Sequence, residues 1–98
     1  MTVNKLDPIP SSVDVLGVPY EVVRGELDGA DGEIDPRRQR ITLDPRLSGA
    51  KLEQTFPHEL VHGIFAQLGC QEEYEDERLV QGLAIGLHQA LWKASPSS

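Results

Sequence analysis

One stretch, residues 57–69, decides how the rest of the chain is interpreted, and its sequence is PHELVHGIFAQLG. Apolar residues recur in it at intervals of three and four positions, which is the spacing of one face of an α-helix. Gly69 follows at the place where a helix often ends on a left-handed residue. The stretch therefore predicts an amphipathic helix that ends near Gly69, with an apolar stripe formed by Leu60, Val61, Ile64, Phe65 and Leu68.

The polar residues of this helix have the spacing of a metal site. His58 and His62 are four positions apart, so both imidazoles lie on the same helix face, one turn apart, and can bind one ion. Glu59 is expected on the far side of the histidines from the apolar stripe, where its carboxylate can contact a water ligand rather than the metal. We interpret His58 and His62 as zinc ligands and Glu59 as the general base of an HExxH site. Gly63 and Ala66 are small and are expected to leave room for a substrate.

A second amphipathic helix follows after an acidic segment and is predicted to end before Pro96. Its apolar residues are Leu79, Val80, Leu83, Ala84, Leu87, Ala90 and Leu91. We expect its buried stripe to centre on Leu83 and Leu87. The short connection between the two predicted helices makes them antiparallel neighbours, which brings the acidic segment near the end of the first helix.

A catalytic zinc has three protein ligands and one open position, so a third donor is needed. The acidic segment, residues 72–77, supplies the candidates. With the stripe on Leu83 and Leu87, Asp76 points inward, while Glu73 and Glu77 lie on one edge. Glu77 is preferred because it is held near the inward edge and is long enough to reach the ion; Asp76 and Glu73 remain alternatives. His88 is eleven residues beyond Glu77, about 16 Å along a helix axis, and is expected to be an exposed or packing residue.

The first half of the chain has the pattern of β-structure. Val13 and Val15 alternate with a polar residue, and the apolar pattern resumes at Tyr20 after a break at residues 17–19, which predicts a hairpin. A second hairpin is predicted from strands at 33–35 and 39–43, with a turn at 36–38. Ser48 is a plausible N-cap for a helix that starts near Gly49.

Pro57 leaves two interpretations of that helix open. It either kinks one long helix or lies in the first turn of a new helix capped by Thr55. In both cases the fold class is α+β, with a short antiparallel β-sheet of N-terminal hairpins packed on two or three C-terminal helices. We expect a single domain over residues 1–98, with 1–11 as a loose arm.

Composition and charge limit the class of function. Of the 98 residues, 39% are hydrophobic and 26% are charged, and no apolar run approaches the roughly 18 residues of a membrane span. With Cys70 as the sole cysteine and no signal-peptide pattern at the start, a soluble protein in the reducing cytoplasm is expected. The formal net charge of −7 argues against direct binding to nucleic acid or anionic membranes and favours basic partners. Nothing in the sequence indicates an oligomeric state.

The region from Ile41 to Leu91, with the segments ITLDPRLS, EQTFPHELVHGIF and EDERLVQGLAIGLHQAL, resembles the small phage- and prophage-associated members of the ImmA/IrrE-type zinc metallopeptidases. The resemblance implies a minimal zincin-like fold, zinc ligands at His58 and His62, a base at Glu59 and a glutamate ligand on the following helix, at Glu77. Better-known relatives cleave a helix-turn-helix repressor. The resemblance thus implies hydrolysis of a peptide bond in a regulatory protein of that type, a basic DNA-binding protein.

Two other classes of function remain open: a non-catalytic zinc-binding module and a metal-free acidic module for protein interaction. The peptidase is favoured because a structural zinc site normally has four Cys or His ligands, and this chain has one cysteine. Tyr74 and Arg78 are candidate donors to an oxyanion. The strand at 39–43, if it lies at the sheet edge, could bind an extended substrate by β-augmentation, or it could be an ordinary sheet strand.

Overall fold

The computed structural model describes residues 9–91, in which two β-hairpins are followed by three helices. The α+β class with N-terminal strands and C-terminal helices is as the sequence predicts. The elements are β1 (Ser12–Val15), β2 (Val18–Arg24), β3 (Gly32–Asp35), β4 (Arg40–Leu43), α1 (Gly49–Leu68), α2 (Gln71–Tyr74) and α3 (Glu77–Leu91).

The two hairpins form one sheet with the strand order β1-β2-β4-β3. Pairing within each hairpin is antiparallel, but the hairpins are joined by a parallel β2–β4 pair in which Glu21 is opposite Arg40. The sheet is therefore mixed rather than purely antiparallel. The prediction that the strand at 39–43 could lie at an edge is wrong, because β4 is paired on both sides; β3 is the edge strand on that side.

Helix α1 is a single helix of 20 residues with Pro57 in its interior, which settles the question of one helix or two. Proline lacks the N–H that would bond the carbonyl of Glu53 one turn earlier. Ser48 precedes the helix in extended conformation and makes no side-chain cap. Gly69 ends it with φ 74°, and its N–H donates to the carbonyl of Ala66, so the end is a left-handed glycine cap as predicted.

The main core lies between the sheet and one side of α1. It contains Val15, Tyr20, Val22, Ile41, Leu43, Leu52 and Phe56. The opposite side of α1 is covered by α3, which within residues 9–91 packs on α1 and α2 and on no strand. Because α1 is covered on two sides, its buried residues are not a single stripe. Val61 is buried, whereas Leu68, which was predicted to belong to the stripe, is 58% exposed.

The buried stripe of α3 differs from the predicted one. Val80, Ala84 and His88 are buried, whereas Leu83 is 43% and Leu87 is 38% exposed. The apolar residues of α3 cover more than half of its circumference, and only the part facing α1 is buried. His88 was expected to be either exposed or a packing residue, and it is a packing residue. Its Nε2 lies 3.2 Å from Oε1 of Glu53.

Of the predicted arm, residues 1–8 lie outside the described residues. Ile9 packs against the core, and the carbonyl of Ser11 accepts a hydrogen bond of 2.9 Å from the N–H of Val22. The last helix is described as far as Leu91, so its predicted end before Pro96 also lies outside this range. Among the described residues, no helix has the length and apolar character needed to cross a membrane.

The orientation of α3 can be tested with a pair of substitutions on the same helix. Val80→Ala should lower the free energy of unfolding by about 2 kcal/mol, since it removes buried methyl groups. Leu83→Ala should lower it by less than about 1 kcal/mol, because that side chain is partly solvent-exposed. Urea denaturation of both variants measures the difference. A larger loss for Leu83→Ala would show that the buried stripe of α3 is the one predicted from sequence.

Candidate metal centre and cleft

His58, His62 and Glu77 come together at the contact between α1 and α3. Their donor atoms all lie within 4.8 Å of one another, so the three side chains could hold a metal ion. Nε2 of His58 lies 3.1 Å from Oε1 of Glu77, and Nε2 of His62 lies 3.2 Å from Oε2 of the same carboxylate. The two histidines are one turn apart on α1, and Glu77 is the first residue of α3.

Glu77 reaches the histidines because it lies in line with the buried residues of α3, three residues before Val80, although its own side chain is 68% exposed. From sequence, Glu77 was expected at one edge of a stripe centred on Leu83 and Leu87. Glu77 does belong to the donor group, but the helical phase from which it was predicted is wrong. Asp76 does not point inward: it is exposed, and its Oδ1 accepts a hydrogen bond of 3.1 Å from the N–H of Leu79, so it caps α3. Glu73 lies on α2 and does not belong to the group.

Each histidine is held differently. Nδ1 of His58 lies 2.6 Å from Oε1 of Gln81, and since an amide oxygen can only accept, the imidazole donates from Nδ1. The His62 side chain is 8% exposed, and its ring lies edge-on to Tyr74 with the centroids 5.0 Å apart. Nδ1 of His62 is buried without a hydrogen-bond partner. His58 is thus oriented by a hydrogen bond and His62 by packing.

Glu59 is buried beside this group and is not part of it. It is 7% exposed, because the side of α1 on which it was expected, beyond the histidines from the apolar stripe, is covered by the edge strand β3. Burial raises the pKa of Glu59 to about 7; the neighbouring His58 opposes this shift, and the carboxylates of Glu77 and Glu33 add to it. A carboxyl group with this pKa exchanges protons near neutral pH.

Gly32 on β3 allows the close approach of strand and helix. A Cβ atom at Gly32 would lie 2.7 Å from Cγ2 of Thr55 and 3.1 Å from Cγ of Glu59. The expected space at Gly63 is filled, because a Cβ atom there would lie 2.8 Å from Cδ1 of Ile34. Gly63 therefore serves the packing of α1 against β3 and does not make room for a substrate.

An open cleft runs along the line where β3 faces α1 and α3. It consists of two adjoining depressions that share Gly32, His58 and Glu59. One continues past Thr55 and Gln81 to the ion pair of Lys51 and Asp31, whose charged atoms are 3.3 Å apart. The other continues to residues of α2 and α3 and is also lined by Ile34, His62, Tyr74, Glu75 and Glu77. Arg78 lines a separate depression with Leu79 and Leu83, so of the two predicted oxyanion donors only Tyr74 lies in the cleft.

Two residues of the site were missed from sequence. Gln81 follows Glu77 by one helical turn, and that spacing could have indicated a shared face. Gly32 could not have been found from sequence, because its importance depends on which strand lies beside α1.

Comparisons with known proteins gave no match: no protein-family model, no curated protein and no solved structure matches this chain. The fold and the arrangement of the site therefore carry the functional interpretation.

The contact between Gly32 and Glu59 predicts opposite effects for the same substitution at two glycines. Gly32→Ala should destabilise the protein by about 1–3 kcal/mol because the methyl group overlaps Thr55 and Glu59. Gly82→Ala should stabilise it by about 0.5–1 kcal/mol, since nothing lies within 4 Å of the added methyl group and alanine favours the helix. Thermal and urea unfolding measure both. Equal effects of the two substitutions would contradict the close approach of β3 to α1.

The raised pKa of Glu59 predicts a pH-dependent cost to stability in metal-free protein. Between the ordinary glutamate pKa of about 4.5 and the folded value of about 7, the folded state binds a proton that the unfolded state has lost, so stability falls as pH rises through this window. Above it, Glu59→Gln should be more stable than wild type by up to about 3 kcal/mol.

Below the ordinary glutamate pKa the two proteins should be equally stable, because the carboxyl is protonated in both the folded and the unfolded state. Urea denaturation across the pH range, with a chelator present, measures the difference. A constant difference at all pH values would show that burial does not perturb this carboxyl group.

Proposed function

We propose that this protein is a zinc-dependent peptidase in which His58, His62 and Glu77 hold the metal and Glu59 is the general base. One observation carries the proposal: two imidazole Nε2 atoms and one carboxylate lie within 4.8 Å of one another, while Glu59 lies beside them outside the donor group and lines the same cleft. Two histidines and one glutamate are the ligand set of a common type of catalytic zinc site, which leaves a fourth position for water or substrate.

The hydrogen bond to Gln81 supports the presence of a cation. Because Nδ1 of His58 donates to Gln81, the Nε2 atom of the neutral ring carries a lone pair, and this lone pair faces a carboxylate oxygen of Glu77 at 3.1 Å. Two acceptors that face each other at this distance repel unless a proton or a metal ion lies between them. The donor set therefore fits a divalent metal, and nitrogen and oxygen donors of this kind suit zinc.

Zinc, when bound, supplies a Lewis acid that lowers the pKa of its water ligand to about 7 and polarises a carbonyl group. Glu59 would accept the proton from the attacking water and pass it to the amine that leaves when the peptide bond breaks. Glu59 lines the same cleft as the donor group, so its carboxylate is available to a water molecule held there. Tyr74, whose ring lies against His62 in the cleft, is the proposed hydrogen-bond donor to the oxyanion.

The edge strand β3 is the proposed binding strand for substrate. Its pairing partner among the described residues is β4 on one side only, and the cleft runs along β3 past Glu59. An extended polypeptide could pair with this edge by β-augmentation, which would place a peptide bond beside the metal donors. The negative net charge of the chain favours a basic protein substrate, such as a DNA-binding regulator, in the cytoplasm.

The metal is tested by counting zinc per chain with native mass spectrometry and elemental analysis. Wild type and Glu59→Gln should each hold one zinc ion, His58→Ala should hold none, and Glu77→Gln should bind more weakly, because the neutral amide is a poorer ligand than the carboxylate. Gln89→Ala serves as a control, since Gln89 is exposed on α3 and does not line the cleft. No zinc in the wild type under metal-replete conditions would overturn the proposal.

The activity is tested by incubating zinc-loaded protein with a library of peptides and identifying new termini by mass spectrometry. Wild type should produce them, and Glu59→Gln, with its zinc retained, should produce at least about 100-fold fewer, which is the typical contribution of a general base. Equal activity of the two proteins would exclude Glu59 as the base. Zinc without any cleavage would instead indicate a non-catalytic zinc-binding module.

A further inference from the structure

We infer that Gln81 is a positioning residue that fixes the tautomer and ring orientation of His58 and thereby sets the affinity of the site for its metal. The inference rests on the proposed metal site and assigns a role to a residue outside the donor group. It starts from one contact: the amide oxygen of Gln81 lies 2.6 Å from Nδ1 of His58.

The contact determines which ring nitrogen faces the metal position. A neutral imidazole can carry its proton on either nitrogen, and only the unprotonated one can bind a metal. With Nδ1–H donated to Gln81, the proton is kept away from Nε2, which is the atom that faces Glu77 at 3.1 Å. The hydrogen bond also prevents rotation of the ring about its bond to Cβ, since rotation would break it.

His58 needs such a restraint more than His62 does. The side chain of His58 is 21% exposed, whereas that of His62 is 8% exposed and is packed edge-on against Tyr74. Protein packing thus immobilises the second ring, while the first ring borders the open cleft. The two histidines also lie edge-on to each other with centroids 5.0 Å apart, so a rotation of His58 would disturb the donor geometry of the pair.

Helix α3 supplies both the acidic ligand and the restraint. Glu77 and Gln81 are four residues apart, so they project from the same face on successive turns and approach His58 together. Glu77 faces Nε2 and Gln81 faces Nδ1 of one ring. The packing of α3 on α1 therefore has two effects. It brings Glu77 to the histidines, and through Gln81 it favours the tautomer of His58 that can bind a metal through Nε2.

The test compares Gln81→Met, which keeps the length of the side chain but lacks the acceptor, with Gln81→Glu, which keeps an acceptor. Gln89→Met is the matched control, because Gln89 is exposed on the same helix and does not line the cleft. The first readout is the ¹⁵N–¹H spectrum of the histidine rings in zinc-loaded protein, which reports the nitrogen through which each ring binds the ion. The second is zinc affinity, measured by competition with a chelator.

In wild type, Gln81→Glu and Gln89→Met, His58 should show the Nδ1–H tautomer, whereas Gln81→Met should show a mixture or the other tautomer. Zinc affinity should fall about 10- to 100-fold in Gln81→Met and stay within a few-fold of wild type or increase in Gln81→Glu. Unfolding curves check that the variants are folded. An unchanged His58 tautomer together with unchanged affinity in Gln81→Met would overturn the inference. No zinc in wild type would overturn the proposed function together with this inference, whereas zinc in wild type with an unchanged Gln81→Met overturns the inference alone.

Discussion

The packing of α1 between the sheet and α3 is the constraint on which both the core and the site depend. One side of α1 supplies Leu52 and Phe56 to the core under the sheet, and the opposite side receives α3, which within residues 9–91 packs on helices alone. His58 and His62 of the candidate metal site lie on α1 within reach of Glu77, the first residue of α3. Any change that separates α3 from α1 would remove Glu77 from the histidines without disturbing the core beneath the sheet.

Local features of this fold could be predicted from sequence, whereas features that depend on distant contacts could not. Both hairpins follow from alternating apolar residues separated by turn residues, and the end of α1 follows from Gly69. The parallel pairing of β2 with β4 joins Glu21 to Arg40, and no local pattern specifies which edges of two hairpins will meet. For that reason the sequence placed a possible edge strand at 39–43, whereas the open edge beside the site belongs to β3.

The candidate site shows the same division. His58, Glu59 and His62 were chosen from the spacing within one helix, which fixes their relative directions. The orientation of α3 was ambiguous because its apolar residues cover two adjoining faces, and the buried one carries Val80, Ala84 and a polar residue, His88. His88 can be buried there because Glu53 on α1 lies 3.2 Å away, a partner 35 residues earlier that could not be predicted from sequence. Glu77 was preferred because its side chain is long and lies near the predicted inward edge of α3. It reaches the histidines because the buried side of α3 is the one with Val80 and Ala84, not the one with Leu83 and Leu87.

The electrostatics of the site favour a cation and a proton-accepting group at the same time. Burial makes the ionised form of Glu59 less stable and so raises its pKa; the neighbouring His58 opposes this effect, and the carboxylates of Glu77 and Glu33 add to it. Glu77, by contrast, is 68% exposed and faces two imidazoles, so its carboxylate is not desolvated by burial. The two glutamates therefore differ in environment: Glu77 is largely exposed and faces the imidazoles, and Glu59 is buried beside them. The proposed roles depend on this difference in position, because a metal ligand must face the other donors, whereas a general base must lie beside them without joining the donor group.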